Sequence, residues 1–142
     1  MYQITTMNYI NSPIETVYKS LTSKEGLSEV WTTDCQVKNK VGETSIFGFG
    51  NEEPTVFRIE ELIPNKEITW ICTDSDPEWI GTQVSFELKY HNGKTAVTLV
   101  HSGWKSPTEF FNWCSYNWSF FLYSLKLFCE EGKGIPFQER KF

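Results

Sequence analysis

The stretch "SPTEFFNWCSYNWSFFLYSLKLFCEEGKG" (Ser106–Gly134) decides the fold. It reads as one long helix, although nine of the nineteen residues from Phe110 to Phe128 are Phe, Trp or Tyr. Aromatic side chains are mediocre helix formers, because the preceding turn restricts χ1. A helix built this way serves a core, a membrane or the wall of a ligand cavity. The membrane use fails on composition. Asn112, Asn117, Lys126 and several serines interrupt the window, whereas a spanning helix needs about 20 predominantly apolar residues.

Ser106-Pro107-Thr108-Glu109 predicts the helix start, and Gly132 predicts its end as the residue after the last turn. At 100° per residue, Asn112, Ser115, Ser119 and Lys126 share one narrow arc, read as the solvent face. The opposite face centres on Phe110, Trp113, Asn117, Phe121, Ser124 and Phe128. Cys114, Trp118 and Leu125 flank it on one side, Phe120 on the other. So much apolar surface requires an enclosing partner.

The partner lies upstream. "YQITTMNYI" (2–10) reads as a strand. "NSPIETVYKSLTS" (11–23) carries a second S-P-x-E start, with Ser12 as cap, Pro13 in first helical position and Glu15 completing a capping box. A further short helix, "SKEGLSEVW", ends near Trp31. From about residue 34 onward the signals are those of strands. "TSIFGFG" sets Phe47 and Phe49 on one face, and "TVFRIEELI" stops at the Pro64-Asn65 turn. "EITWICT" alternates Ile68, Trp70 and Cys72 against its polar face. "GTQVSFELKY" does the same with Val84, Phe86 and Leu88. His91-Asn92-Gly93 marks a tight hairpin, from which "KTAVTLVHS" returns with Val97, Leu99 and His101 on one face. The order is strand, two helices, about six strands, one long helix. This predicts an α+β fold in which a curved antiparallel sheet is covered by the C-terminal helix, with all 142 residues in one domain.

Charge and cysteine usage narrow the function. The net charge of −5 and pI near 5.1, without a basic cluster, argue against nucleic acid or an anionic membrane as partner. "MYQITTMNYI" has neither the basic nor the apolar region of a signal peptide. The four cysteines are scattered, so reduced thiols in the cytoplasm are expected. Nucleotide, phosphate and hydrolase motifs are missing, and the two histidines are poorly placed for a shared metal. No metal and no cofactor are expected.

Three polar groups stand out. Asn117 sits in the middle of the apolar helix face and needs a partner in backbone, water or ligand. His101 points under the helix, as a structural hydrogen-bonding group or as a ligand contact or base. Arg58 and Glu60 share a strand face, forming a solvated pair or, on a concave face, a charged anchor.

The order of "INSPIETVYKSLTSKEGLSEVWT", "RIEELIPNKEITW", "GTQVSFEL", "TLVHSGW" and "NWSFFLYSLKLFCEEGKGIPF" resembles the helix-grip (START-like, SRPBCC) superfamily. Within it, the chain is similar to bacterial proteins related to the activator of heat-shock-protein-90 ATPase. The resemblance implies a sheet of about seven strands gripping the C-terminal helix, with a hydrophobic cavity between them. It implies binding of a small hydrophobic or aromatic molecule, with Trp31, Phe47, Phe49, Arg58, Trp70, Phe86, His101, Trp113, Asn117, Phe121 and Ser124 as the contacting set. A co-chaperone-like interaction module and a polyketide cyclase/dehydratase-type enzyme are the alternatives. A homodimer through exposed tryptophans such as Trp79 or Trp104 is a further expectation.

Overall fold

The computed structural model describes residues 1–51 and 53–142. Its elements run β1 (Tyr2–Ile10), α1 (Ile14–Thr22), α2 (Lys24–Val30), β2 (Cys35–Gln36), β3 (Thr44–Phe47), β4 (Thr55–Ile63), β5 (Glu67–Asp74), β6 (Gln83–His91), β7 (Lys94–Trp104) and α3 (Glu109–Glu131). A 3-10 turn, Phe137–Glu139, follows α3. The strands form one seven-stranded antiparallel sheet in the order β1-β7-β6-β5-β4-β3-β2. The expected helix-grip architecture is therefore present.

Alternation sets the inner face of the sheet. Val84, Phe86 and Leu88 of β6 and Val97, Leu99 and His101 of β7 are all buried. Asn92 and Gly93 both take positive φ between the paired residues His91 and Lys94, which is the backbone a two-residue hairpin needs. Register shifts in β4 between Val56 and Phe57 and between Ile59 and Glu61 bend the sheet around the helix. A further bulge falls at Gly103 (φ 92°), which is skipped between the Tyr2–Trp104 and Gln3–Ser102 pairs. That extra residue turns Trp104 inward, where it is 1% exposed, so it is not the surface contact expected from the sequence.

Both S-P-x-E starts are misplaced by the sequence reading. Helix α1 begins at Ile14, and Pro13 occupies the cap position with no side-chain cap bond. Ser12 instead offers its carbonyl to Thr95 Oγ1 at 2.8 Å. Helix α3 is capped by Thr108, whose hydroxyl accepts from Phe111 N at 3.2 Å and donates to Glu78 Oε1 at 2.6 Å. The predicted stop is right: Gly132 takes φ 85° and its N–H bonds to Phe128 O.

The roll of α3 about its axis also differs. Its buried stripe is Cys114, Trp118, Phe121, Leu122, Ser124 and Leu125, so the centre lies ~65° from the expected one. The arc read as solvent-facing lies along edge strand β1. Ser119 Oγ meets Thr6 Oγ1 at 3.0 Å, Lys126 Nζ donates to Tyr9 O at 2.9 Å, and Asn8 Nδ2 reaches Leu122 O at 3.0 Å. The inner face of β1 is polar at Thr6 and Asn8, so it accepts the polar arc of the helix.

Where α1 turns into α2 the backbones touch. A Cβ at Gly26 would lie 2.1 Å from Ser20 O. Gly26→Ala is therefore expected to destabilise the fold by about 1–3 kcal/mol, read as a lower urea midpoint at unchanged slope. An unchanged midpoint would show that the helix pair is not in close contact.

Candidate ligand-binding site

Most of the space under the sheet is filled by aromatic rings, with Trp31 as the hub. Trp31 ends α2 and is 6% exposed. Its ring lies 4.6 Å from Phe47, 5.0 Å from Phe49, 5.3 Å from Trp118 and 5.6 Å from Phe121, and it stacks on Trp70 at 6.3 Å. Phe86 closes the far side against Trp70 and Phe121 at 5.1 and 5.7 Å. Phe47, Trp70, Phe86 and Phe121 are thus core residues.

A cavity of about 530 Å³ remains at one end, open to solvent. Helix α3 contributes Phe110, Trp113, Cys114, Asn117 and Trp118. The β3–β4 loop and the start of β4 add Phe49, Asn51, Glu53 and Thr55. The β5–β6 loop brings Ser75, Asp76, Pro77 and Trp79, and Trp31, Phe137 and Arg140 close the remaining side. Of the expected set, Trp31, Phe49, Trp113 and Asn117 meet here. Arg58 points outward and pairs with Glu60 at 3.0 Å, both half-exposed. Ser124 is fully buried and accepts Ile135 N at 2.8 Å, so it anchors the C-terminal segment. Asn117 Nδ2 donates to Trp113 O on its own helix at 2.8 Å, a local bond that explains a polar residue on this face.

His101 is buried behind the cavity wall. Its Nδ1 accepts the Trp118 indole N–H at 3.0 Å, and its Nε2 faces Thr82 Oγ1 at 2.8 Å. Thr82 Oγ1 in turn donates to Trp79 O. Because Nδ1 must accept, the ring is the neutral tautomer with its proton on Nε2. Burial lowers its pKa to about 3. Both nitrogens are occupied, so His101 positions Trp118 and Trp79 rather than touching a ligand. Those two indoles stack at 5.7 Å and 15° and form part of the wall.

Several polar groups of the wall are held by neighbouring protein groups. Burial raises the Cys114 thiol to about 12, against a smaller lowering by the Trp79 indole. Thr55 and Ser75 hydroxyls pair with each other at 2.8 Å. Glu53 and Asp76 are exposed, and Asp76 Oδ1 accepts Glu78 N at 2.9 Å. Sequence reasoning missed Trp79, Phe137 and Arg140. All three lie in segments without periodicity, "SDPEWIG" (75–81) and "IPFQERKF" (135–142), which only the folded chain brings to the cavity.

The profile of Activator of Hsp90 ATPase homolog 1-like proteins matches residues 11–130. The chain belongs to this family. A dimeric Aha1 from Colwellia psychrerythraea, solved in solution, is 37% identical, with TM-score 0.87 over 94% of this chain and 100% of that one. Protein SSP2350 of Staphylococcus saprophyticus is 18% identical, with TM-score 0.80 over 96% and 99% of the two chains. Protein MLL2253 of Mesorhizobium loti is 19% identical, with TM-score 0.77 over 88% and 94%. These two share the fold. A comparison with curated proteins gives no match. Among the described residues, no helix of this family member is long and apolar enough to cross a membrane.

The His101 assignment has a pH consequence. A histidine whose folded pKa is near 3 and whose unfolded pKa is near 6.5 binds its proton more readily in the unfolded chain between those values. Its contribution is complete above pH 6.5 and falls as the pH drops. The wild type is expected to lose about 3 kcal/mol through this group between pH 6.5 and 4. His101→Gln is expected to be less stable at pH 7 but to show a flatter acid limb in urea melts across that range. Equal acid limbs would contradict the assignment.

Proposed function

We propose that this protein binds a small apolar or aromatic molecule in the cavity beside α3. The observation that carries the reading is a void of about 530 Å³ walled by Trp31, Phe49, Trp79, Phe110, Trp113 and Trp118. Its size falls within the range of small-molecule sites, which are apolar walls with a few polar groups. Asn117, whose carbonyl oxygen has no protein partner among the described residues, and Arg140 supply those groups. The burial of His101, with both ring nitrogens hydrogen-bonded, supports binding over acid–base catalysis by that residue.

A second reading concerns assembly. Trp113, Tyr116, Tyr123 and Phe142 are about half exposed and lie on one ridge. Phe142 packs edge-on against Trp113 and Tyr116 at 5.4 and 5.5 Å. An exposed aromatic ridge favours a protein contact. Together with the dimeric 37%-identical relative, it supports a homodimer through this face in place of Trp79 or Trp104.

Native mass spectrometry reads both properties. The purified protein is expected to carry a reproducible small organic molecule, which Asn117→Trp removes by filling the cavity. It is also expected to show a dimer, which the Tyr116→Glu/Tyr123→Glu pair converts to monomer. A ligand at 100 times its Kd adds about 2.7 kcal/mol of stability. An empty spectrum with a flat thermal-shift screen of fatty acids, flavonoids and polyketides would overturn the binding reading. A wild type that stays monomeric would overturn the dimer.

A further inference from the structure

We infer that the Phe137–Arg140 end of the cavity is an anion subsite, so that the bound molecule carries a carboxylate on its apolar body. This rests on the cavity being a ligand site. Its own observation is the environment of Arg140. That guanidinium is half-buried, and its Nε and Nη2 donate to Ile135 O and Val30 O, each at 2.8 Å. It lies 4.8 Å from the centre of the Phe120 ring. Among the described residues no carboxylate lies within ion-pair distance of it, and Nη1 has no protein acceptor.

Two backbone carbonyls hold the planar group in one orientation but leave part of its donor fork unused. The Val30 carbonyl belongs to the last residue of α2, so the cation also sits at a helix C-terminus. Burial lowers the guanidinium pKa to about 10, the mark of a charge that its surroundings under-compensate. A carboxylate in the cavity would complete the fork with a charge-assisted bond, and a fixed fork suits a planar anion. The other charged groups of the wall, Glu53 and Asp76, are both exposed. They leave Arg140 as the half-buried charge of the site, and the guanidinium itself disfavours a cationic head at its own end.

The test uses the whole protein and three probes. N-phenyl-1-naphthylamine, a neutral dye, reports occupation of the cavity by its fluorescence. 1-Naphthaleneacetate and 2-(1-naphthyl)ethanol then displace it at pH 7.5, differing chiefly in the anionic head. In the wild type the acid is expected to displace at about tenfold lower concentration than the alcohol. In Arg140→Met that ratio falls to about one. Should Arg140→Met not fold, Arg140→Lys keeps the charge without the fork and is expected to lose about threefold of the preference. Dye binding with equal displacement by acid and alcohol, or a preference that survives both substitutions, overturns the anion subsite and leaves the cavity reading standing. No dye binding to the wild type overturns both.

Discussion

The Trp118 indole bonded to His101 is the interaction on which the arrangement turns. It joins the middle of α3 to the inner face of β7, and the bond at the other ring nitrogen joins β7 to Thr82 beside the β5–β6 loop. A long aromatic helix has many ways to roll against a greasy sheet, because dispersion contacts carry little direction. A buried hydrogen bond between two rings does carry direction, and breaking it would leave a donor and an acceptor unpaired. It therefore sets the roll of α3, and with it which aromatic rings fill the core and which stand at the cavity.

From that pin the interior divides in two. On the β1 side the helix lies close, with Ser119 bonded to Thr6, Lys126 to Tyr9 O and Asn8 to Leu122 O. Beneath the middle of the sheet, Trp31 gathers Phe47, Trp70 and Phe121 into one aromatic cluster. At the N-terminal end of α3 the wall is made by loops. Thr108 ties the helix start to Glu78 of one loop, and Trp79 of the same loop stacks on Trp118. The void survives there because loop backbone and the C-terminal segment span the gap without filling it.

Much of the fold was legible in the sequence, and the reasons are local. Alternation in β6 and β7, the Asn92-Gly93 turn and the Gly132 stop are fixed by neighbouring residues, so reading neighbours suffices. The roll of α3 was not legible, because its apolar surface extends nearly all the way round. Of its polar arc, Asn112 and Ser119 are exposed as expected, but Ser119 and Lys126 also bond to the edge strand β1. The direction of Trp104 was hidden by one bulge residue, Gly103, which reverses the alternation after it. The site was only half legible for the same reason. Trp31, Phe49, Trp113 and Asn117 belong to patterned segments. Trp79 and Arg140 reach the cavity through long-range contacts, such as Arg140 to Val30 O, that no local pattern encodes.

The open space lies at the N-terminal end of α3. Indole N–H resonances in a proton–nitrogen NMR spectrum, followed during titration with 1-naphthaleneacetate, test this most directly. The Trp79 and Trp113 signals are expected to move with one shared saturation curve while those of Trp70 and Trp104 stay in place. Movement centred on Trp70 and Trp104, with Trp113 unchanged, would contradict it.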